Sequence, residues 1–202
     1  MATSDVSICN RALQKLGAAS ITSLDDNNVR GRAMNLAFEP VRDAELRRHR
    51  WRFAIKRTSL PRLSAAPDSG FSYQYQVPND FLRLIEGGDI ASTADLSDYR
   101  GVSGAAYSVE NGRLLTNYSS PLSIRYIARI TDASLFDSAF CEALSARLAV
   151  ETCEQITEST QKKADLFRDY QVAIREAIRA NALEVASEAI ADDTWVLARI
   201  AS

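Results

Sequence analysis

The chain holds a single histidine, three cysteines and a dense run of arginines, and these residues decide which chemistries are open to it. His49 lies in RRHRWR, where cationic neighbours depress imidazole basicity and repel a metal ion. The only candidates nearby for a carboxylate that orients it, Asp43 and Glu45, belong to the same expected helix, so a Ser-His-Asp or Cys-His system has little to build on. His49 reads as a surface or interface residue. Cys9, Cys141 and Cys153 are far apart, form no CxxC and have no adjacent histidine, the pattern of buried reduced thiols. No GxxxxGK[ST] occurs, and no GxGxxG follows a strand, so nucleotide binding has no motif. The acid pairs Asp25-Asp26 and Asp192-Asp193 point apart as chain neighbours and read as solvated caps rather than as a general acid and base. The expectation is a chain without catalytic residues, metal or cofactor.

Charge is the stronger signal. Lys and Arg total 24 against 26 Asp and Glu, a net charge of −2, which gives no chain-wide pull toward nucleic acid or anionic lipid. Between Arg30 and Arg62, however, ten basic residues meet only Glu39, Asp43 and Glu45. Arg42, Arg47, Arg48, Arg50, Arg52 and Arg57 are the candidates for an interface or a DNA-facing surface. One reading is phosphate contact through the guanidinium fork. The other, which carries more weight, is a solvated helix face or salt bridges to an acidic surface. Trp51, set among these arginines, could stack on a base but is better read as a core plug at a helix-to-strand junction, with the arginines stacked on it.

The elements that must position these residues follow from periodicity. Ile8, Cys9, Ala12, Leu13 and Leu16 mark a short amphipathic helix with Thr3 or Ser4 as N-cap and Gly17 as its stop. A polar loop over 18–28 is tacked down by Ile21 and Leu24. A second helix runs from about Asn28 to Arg50, with Val29, Ala33, Leu36, Ala37, Val41, Ala44 and Leu46 on its apolar side and a kink or break expected before Pro40. Strands are expected in FAIKRTSL, YQYQV, FLRLIE, AYSVE, RLLTN and LSIRYIARI, with Asn111-Gly112 the sharpest hairpin signal; 89–106 reads as loop. Helical spacing returns from Leu135 to about Gln155–Thr160, then from Gln161 to Leu183. No secretion signal, membrane span or internal repeat is read. The predicted fold class is α+β, mainly helical: a bundle of 1–52 and 132–182, a β-rich insert at 53–131 with a small central antiparallel sheet, and a C-terminal arm at 183–202.

In their order, NRALQKLGAASITSLDD, FEPVRDAELRRHRWRFA and the run Tyr73, Tyr75, Pro78, Asp80 and Leu82 resemble the tail tubular protein A family, the head-to-tail adaptors of short-tailed bacteriophages. The resemblance spans roughly residues 8–85; the stretch from Asp89 to Ser103 does not match the pattern. It implies a non-enzymatic virion protein forming a ring, twelve-membered in that family, between the portal protein and the tail nozzle protein. The ring would line the channel through which genomic DNA passes. The alternative is a small nucleic-acid-binding module using the Arg42–Arg62 stripe.

A ring requires heterologous contacts in which one patch meets a different one on the next copy. The arm carries Glu184, Glu188, Asp192 and Asp193 against Arg199 alone, together with Trp195, Val196, Leu197 and Ile200, which are costly to leave in water. Those four apolar residues are the candidate docking elements, onto a neighbouring copy or the portal. Arginines facing a channel are expected to be few and balanced by acids, because each unpaired phosphate contact slows DNA passage.

Overall fold

The computed structural model describes residues 3–87, 107–119 and 121–183. The expectations for 89–106 and for Trp195, Val196, Leu197 and Ile200 lie outside the described residues. Helix α1 (Asp5–Lys15) is followed by α2 (Val29–Arg48) and a 3-10 turn (Arg52–Ala54). Strands β1 (Ile55–Leu60), β2 (Tyr73–Gln76), β3 (Phe81–Gly87), β4 (Tyr107–Glu110), β5 (Arg113–Thr116) and β6 (Leu122–Ala128) come next. A second 3-10 turn (Ala133–Leu135) leads to α3 (Ser138–Thr157) and α4 (Thr160–Leu183). The fold is α+β and mainly helical.

Local chemistry explains the boundaries. Ser4 and Ser7 form a reciprocal capping box: Ser4 Oγ accepts the Ser7 N–H at 3.2 Å, and Ser7 Oγ accepts the Ser4 N–H at 2.9 Å. Gly17, at φ +67°, closes α1, with its N–H bonded to the Gln14 carbonyl and that of Ala18 to the Leu13 carbonyl, a Schellman pair. Asn28 Oδ1 caps α2 by accepting the Gly31 N–H at 2.7 Å. Asp137 does the same for α3, whereas Asp132 caps only the preceding 3-10 turn.

Of the kink or break expected before Pro40 the break does not occur, and part of the expected apolar face is corrected. The helix is continuous through Pro40. The carbonyl that loses its partner belongs to Leu36, which is 75% exposed, so water can replace the missing bond. The apolar face is only partly as expected: Ala33, Val41 and Leu46 are buried, but Val29, Leu36 and Ala44 are exposed, and Met34, Phe38, Arg42 and Glu45 are buried as well. Leu135, likewise, is exposed in the 3-10 turn rather than the first core residue of α3.

Helix α3 contacts α1, α2 and α4 and is buried almost all round, its alanines Ala143, Ala146 and Ala149 letting neighbours approach. The expected single sheet is in fact two three-stranded antiparallel sheets, ordered β1-β6-β3 and β2-β5-β4. The cause is competition for partners. Asn111 (φ +46°) and Gly112 (φ +69°) form the tight β4–β5 turn, β2 takes the other edge of β5, and β6 is left to β1 and β3. A bridge between Arg62 and Tyr75 joins the two sheets. One hydrophobic core runs through helices and sheets, and Trp51, Phe53, Phe136 and Phe140 form an aromatic knot at the junction, with Trp51 fully buried.

Candidate functional site

The arginine stripe does not stay together. Arg42 is buried, its guanidinium held 2.9 Å from Asp43 and lying 5.9 Å over the Phe38 ring. Asp43 also accepts from Arg129 Nε at 2.6 Å, at the end of β6. Arg42 is thus a structural tie within the core edge, and the reading of it as a ligand-facing residue is corrected: its fork is spent internally.

Arg48 turns toward α4. Its Nη1 donates to the Tyr170 hydroxyl at 2.5 Å, and Tyr170 in turn donates to Glu45 Oε1 at 2.7 Å. Arg48 and Arg147 stand 3.7 and 3.9 Å from that same oxygen, and both guanidinium groups lie over the Tyr170 ring. Burial and the hydrogen bond to the Glu45 carboxylate push the Tyr170 phenol up, against the opposing pull of the two arginines. Glu45 Oε2 is buried and has no hydrogen-bond partner among the described residues.

Above this cluster lies an open groove of about 800 Å³ between α2, α3 and α4. Val41, Phe167 and Ile174 give it apolar walls, and Arg48, Arg147 and Arg175 give it cationic ones.

The remaining arginines go elsewhere. Arg47 is exposed and donates through Nη1 to the Leu82 carbonyl of β3. Arg50 and Arg52 have exposed side chains, while their backbones are clamped by one amide: Asn181 Nδ2 donates to the Arg50 carbonyl at 3.0 Å, and Asn181 Oδ1 accepts the Arg52 N–H at 2.9 Å. Arg57 is exposed on β1, opposite Arg125 of β6. Arg83, which the sequence reading did not single out, joins Arg47 and Arg50: burial first, then the charges of Arg50 and Arg47, hold its guanidinium below the ordinary arginine value. His49 borders the same group, and burial, Arg83 and Arg50 hold its imidazole below the usual histidine value. The surface therefore carries a basic patch of Arg47, Arg50 and Arg83, separate from the neutralised pairs at Arg42 and Arg48.

Trp51 is the core plug the sequence implied, with its indole N–H donating to the Glu45 carbonyl at 2.8 Å. Its ring contacts are His49, Phe53 and Phe140; the arginines expected to stack on it lie over Phe38, Tyr73 and Tyr170 instead. No hydrogen bond joins His49 to Asp43 or Glu45. Cys9 and Cys153 are buried, Cys141 is half-buried, and all three are free thiols. Among the described residues no group of three or more His, Cys, Asp or Glu side chains could hold a metal ion, and no helix is long and apolar enough to cross a membrane. No protein-family model matches the chain, and no curated protein sequence matches it.

Proposed function

We propose that the chain is a structural assembly protein, the head-to-tail adaptor of a short-tailed bacteriophage, acting as a ring between portal and tail nozzle without enzymatic activity. The ordered run of motifs over residues 8–85 carries this reading. It is laid out on α1, the loop before α2, α2 with its Trp51 junction, and β2–β3. The described surface supports it in one further respect: the chemistry it displays is that of docking, with charged pairs, a basic patch and an open groove. In this reading the ring consists of copies of the chain, twelve by the resemblance. The partners are the portal protein, the nozzle protein and DNA passing without sequence preference, and the protein resides in the virion tail.

Electron microscopy of the purified protein mixed with the portal encoded beside it, against portal alone, tests the proposal. An added symmetric ring at one end of the portal is the expected result. Unchanged portal particles would overturn it.

The Arg47–Arg50–Arg83 patch favours a second reading, nucleic-acid binding by the single chain. Retention of duplex DNA that weakens steeply with salt and is lost in Arg83→Gln would support that reading over the first.

A further inference from the structure

The groove between α2, α3 and α4 is unfinished. Phe167 projects from α4 with 42% of its surface in water, above a floor of Tyr170 and Ile174 that is buried. Glu45 lines the same groove, and its Oε2 is buried and has no hydrogen-bond partner among the described residues. Arg175 donates through Nε to the Gln171 carbonyl at 2.9 Å and has no carboxylate partner among the described residues. The occupant this groove calls for is apolar in body, carries a single N–H donor, and is flanked by negative charge.

We infer that the groove is the docking site of this chain's own C-terminal segment, with Trp195 seated against Val41, Phe167 and Ile174 and its indole N–H donating to Glu45 Oε2. Tryptophan combines a large apolar body with one donor, which is the pairing of surfaces the groove offers. The acids that precede it, Asp192 and Asp193, suit Arg175; Arg147 is already paired with Glu151 at 3.4 Å on the same wall.

Reach favours the same chain. Asn181 ties the end of α4 to the end of α2, so the arm is rooted at Leu183, just beyond the Arg48–Arg175 end of the groove. The nine helical steps from Ile174 to Leu183 span about 14 Å. The twelve residues 184–195 reach up to about 40 Å when extended, ample for doubling back. A segment tethered this closely acts at an effective concentration of the order of millimolar, well above a separate copy in dilute solution. The contact belongs to the free chain and does not rest on the adaptor reading; docking of the arm in an assembly is a separate, later event.

A photo-crosslinker in the groove of the full-length chain tests this. Phe167→p-benzoylphenylalanine, irradiated in dilute solution, should yield crosslinked protein of monomer mass, with the adduct mapping by mass spectrometry to residues 191–200. Adding Trp195→Ala should reduce that yield about tenfold, as expected for loss of a tryptophan anchor, and Arg175→Glu should also lower it. Crosslinks only between chains, adducts confined to other segments, no adduct at all, or a yield indifferent to Trp195→Ala would each overturn the inference. Because the portal takes no part, the result is independent of whether the protein forms a ring.

Discussion

At the scale of single residues, the decisive placements are those of Glu45 and His49. Glu45 Oε1 has one good donor, Tyr170, with Arg48 and Arg147 near enough to attract but beyond hydrogen-bond range. Tyr170→Phe is therefore expected to destabilise the fold by about 1–3 kcal/mol, read from urea unfolding; a change within a few tenths would show that the arginines take over the oxygen. His49 is the chain's one histidine, so its imidazole proton titrates without overlap in an NMR spectrum. Burial, with Arg83 and Arg50 adding to it, predicts a midpoint below 6.5. The unfolded chain then takes up the proton first as pH falls. Stability from this group is intact above about pH 6.5 and declines through the folded midpoint, and His49→Gln should remove that slope. A midpoint at or above 6.5 would contradict the placement of the arginine patch. Trp51 was legible as a core residue from its junction position. Arg42 and Glu45 were not, since the Asp43 that holds Arg42 is itself held by Arg129, 86 residues beyond it, and the Tyr170 that holds Glu45 lies 125 residues further along the chain.

At the scale of elements, helix ends are where sequence speaks most directly. Ser4, Gly17, Asn28 and Asp137 each act within a few residues of themselves. Both strands of the β4–β5 hairpin were visible for the same reason, because Asn111-Gly112 supplies the positive φ angles the turn needs. The division into two sheets depends on which distant strand wins each edge, a choice no local pattern encodes. Some devices bridge the two regimes: Asn10 holds Ile21 through paired bonds of 2.9 and 2.8 Å, pinning the loop across α1 as Asn181 pins the chain around Trp51. The loop also leaves no room beside α2. A Cβ on Gly31 would stand 2.4 Å from the Asp26 carbonyl oxygen, backbone that cannot swing aside. Gly31→Ala should thus cost about 1–3 kcal/mol despite the better helix propensity of alanine, measurable as a lower thermal midpoint. An unchanged or raised midpoint would mean that the loop yields freely.

For the molecule as a whole, the described core closes without the arm: α1 to α4 and both sheets share one apolar cluster. If the proposed adaptor role holds, removal of residues 184–202 is expected to leave cooperative unfolding intact while preventing ring formation on the portal. A truncated chain that still builds the ring would exclude the arm from assembly. The groove itself was illegible in the sequence, because one wall comes from α2 and the others from α3 and α4, the first of which begins at Ser138, 90 residues after α2 ends at Arg48, and its charged members looked like solvated surface. The free thiols carry a practical consequence. Burial, with Asp5 nearby, pushes Cys9 up to about 12, and burial, with Asp137 nearby, pushes Cys141 up to about 11, while Cys153 is sealed in the core. At neutral pH, maleimide reagents, which need thiolate, will pass these sulfurs by. A reporter cysteine can be added at an exposed position outside the groove, such as Asp169, with the native three in place, giving a spin or fluorescence probe on an unaltered core.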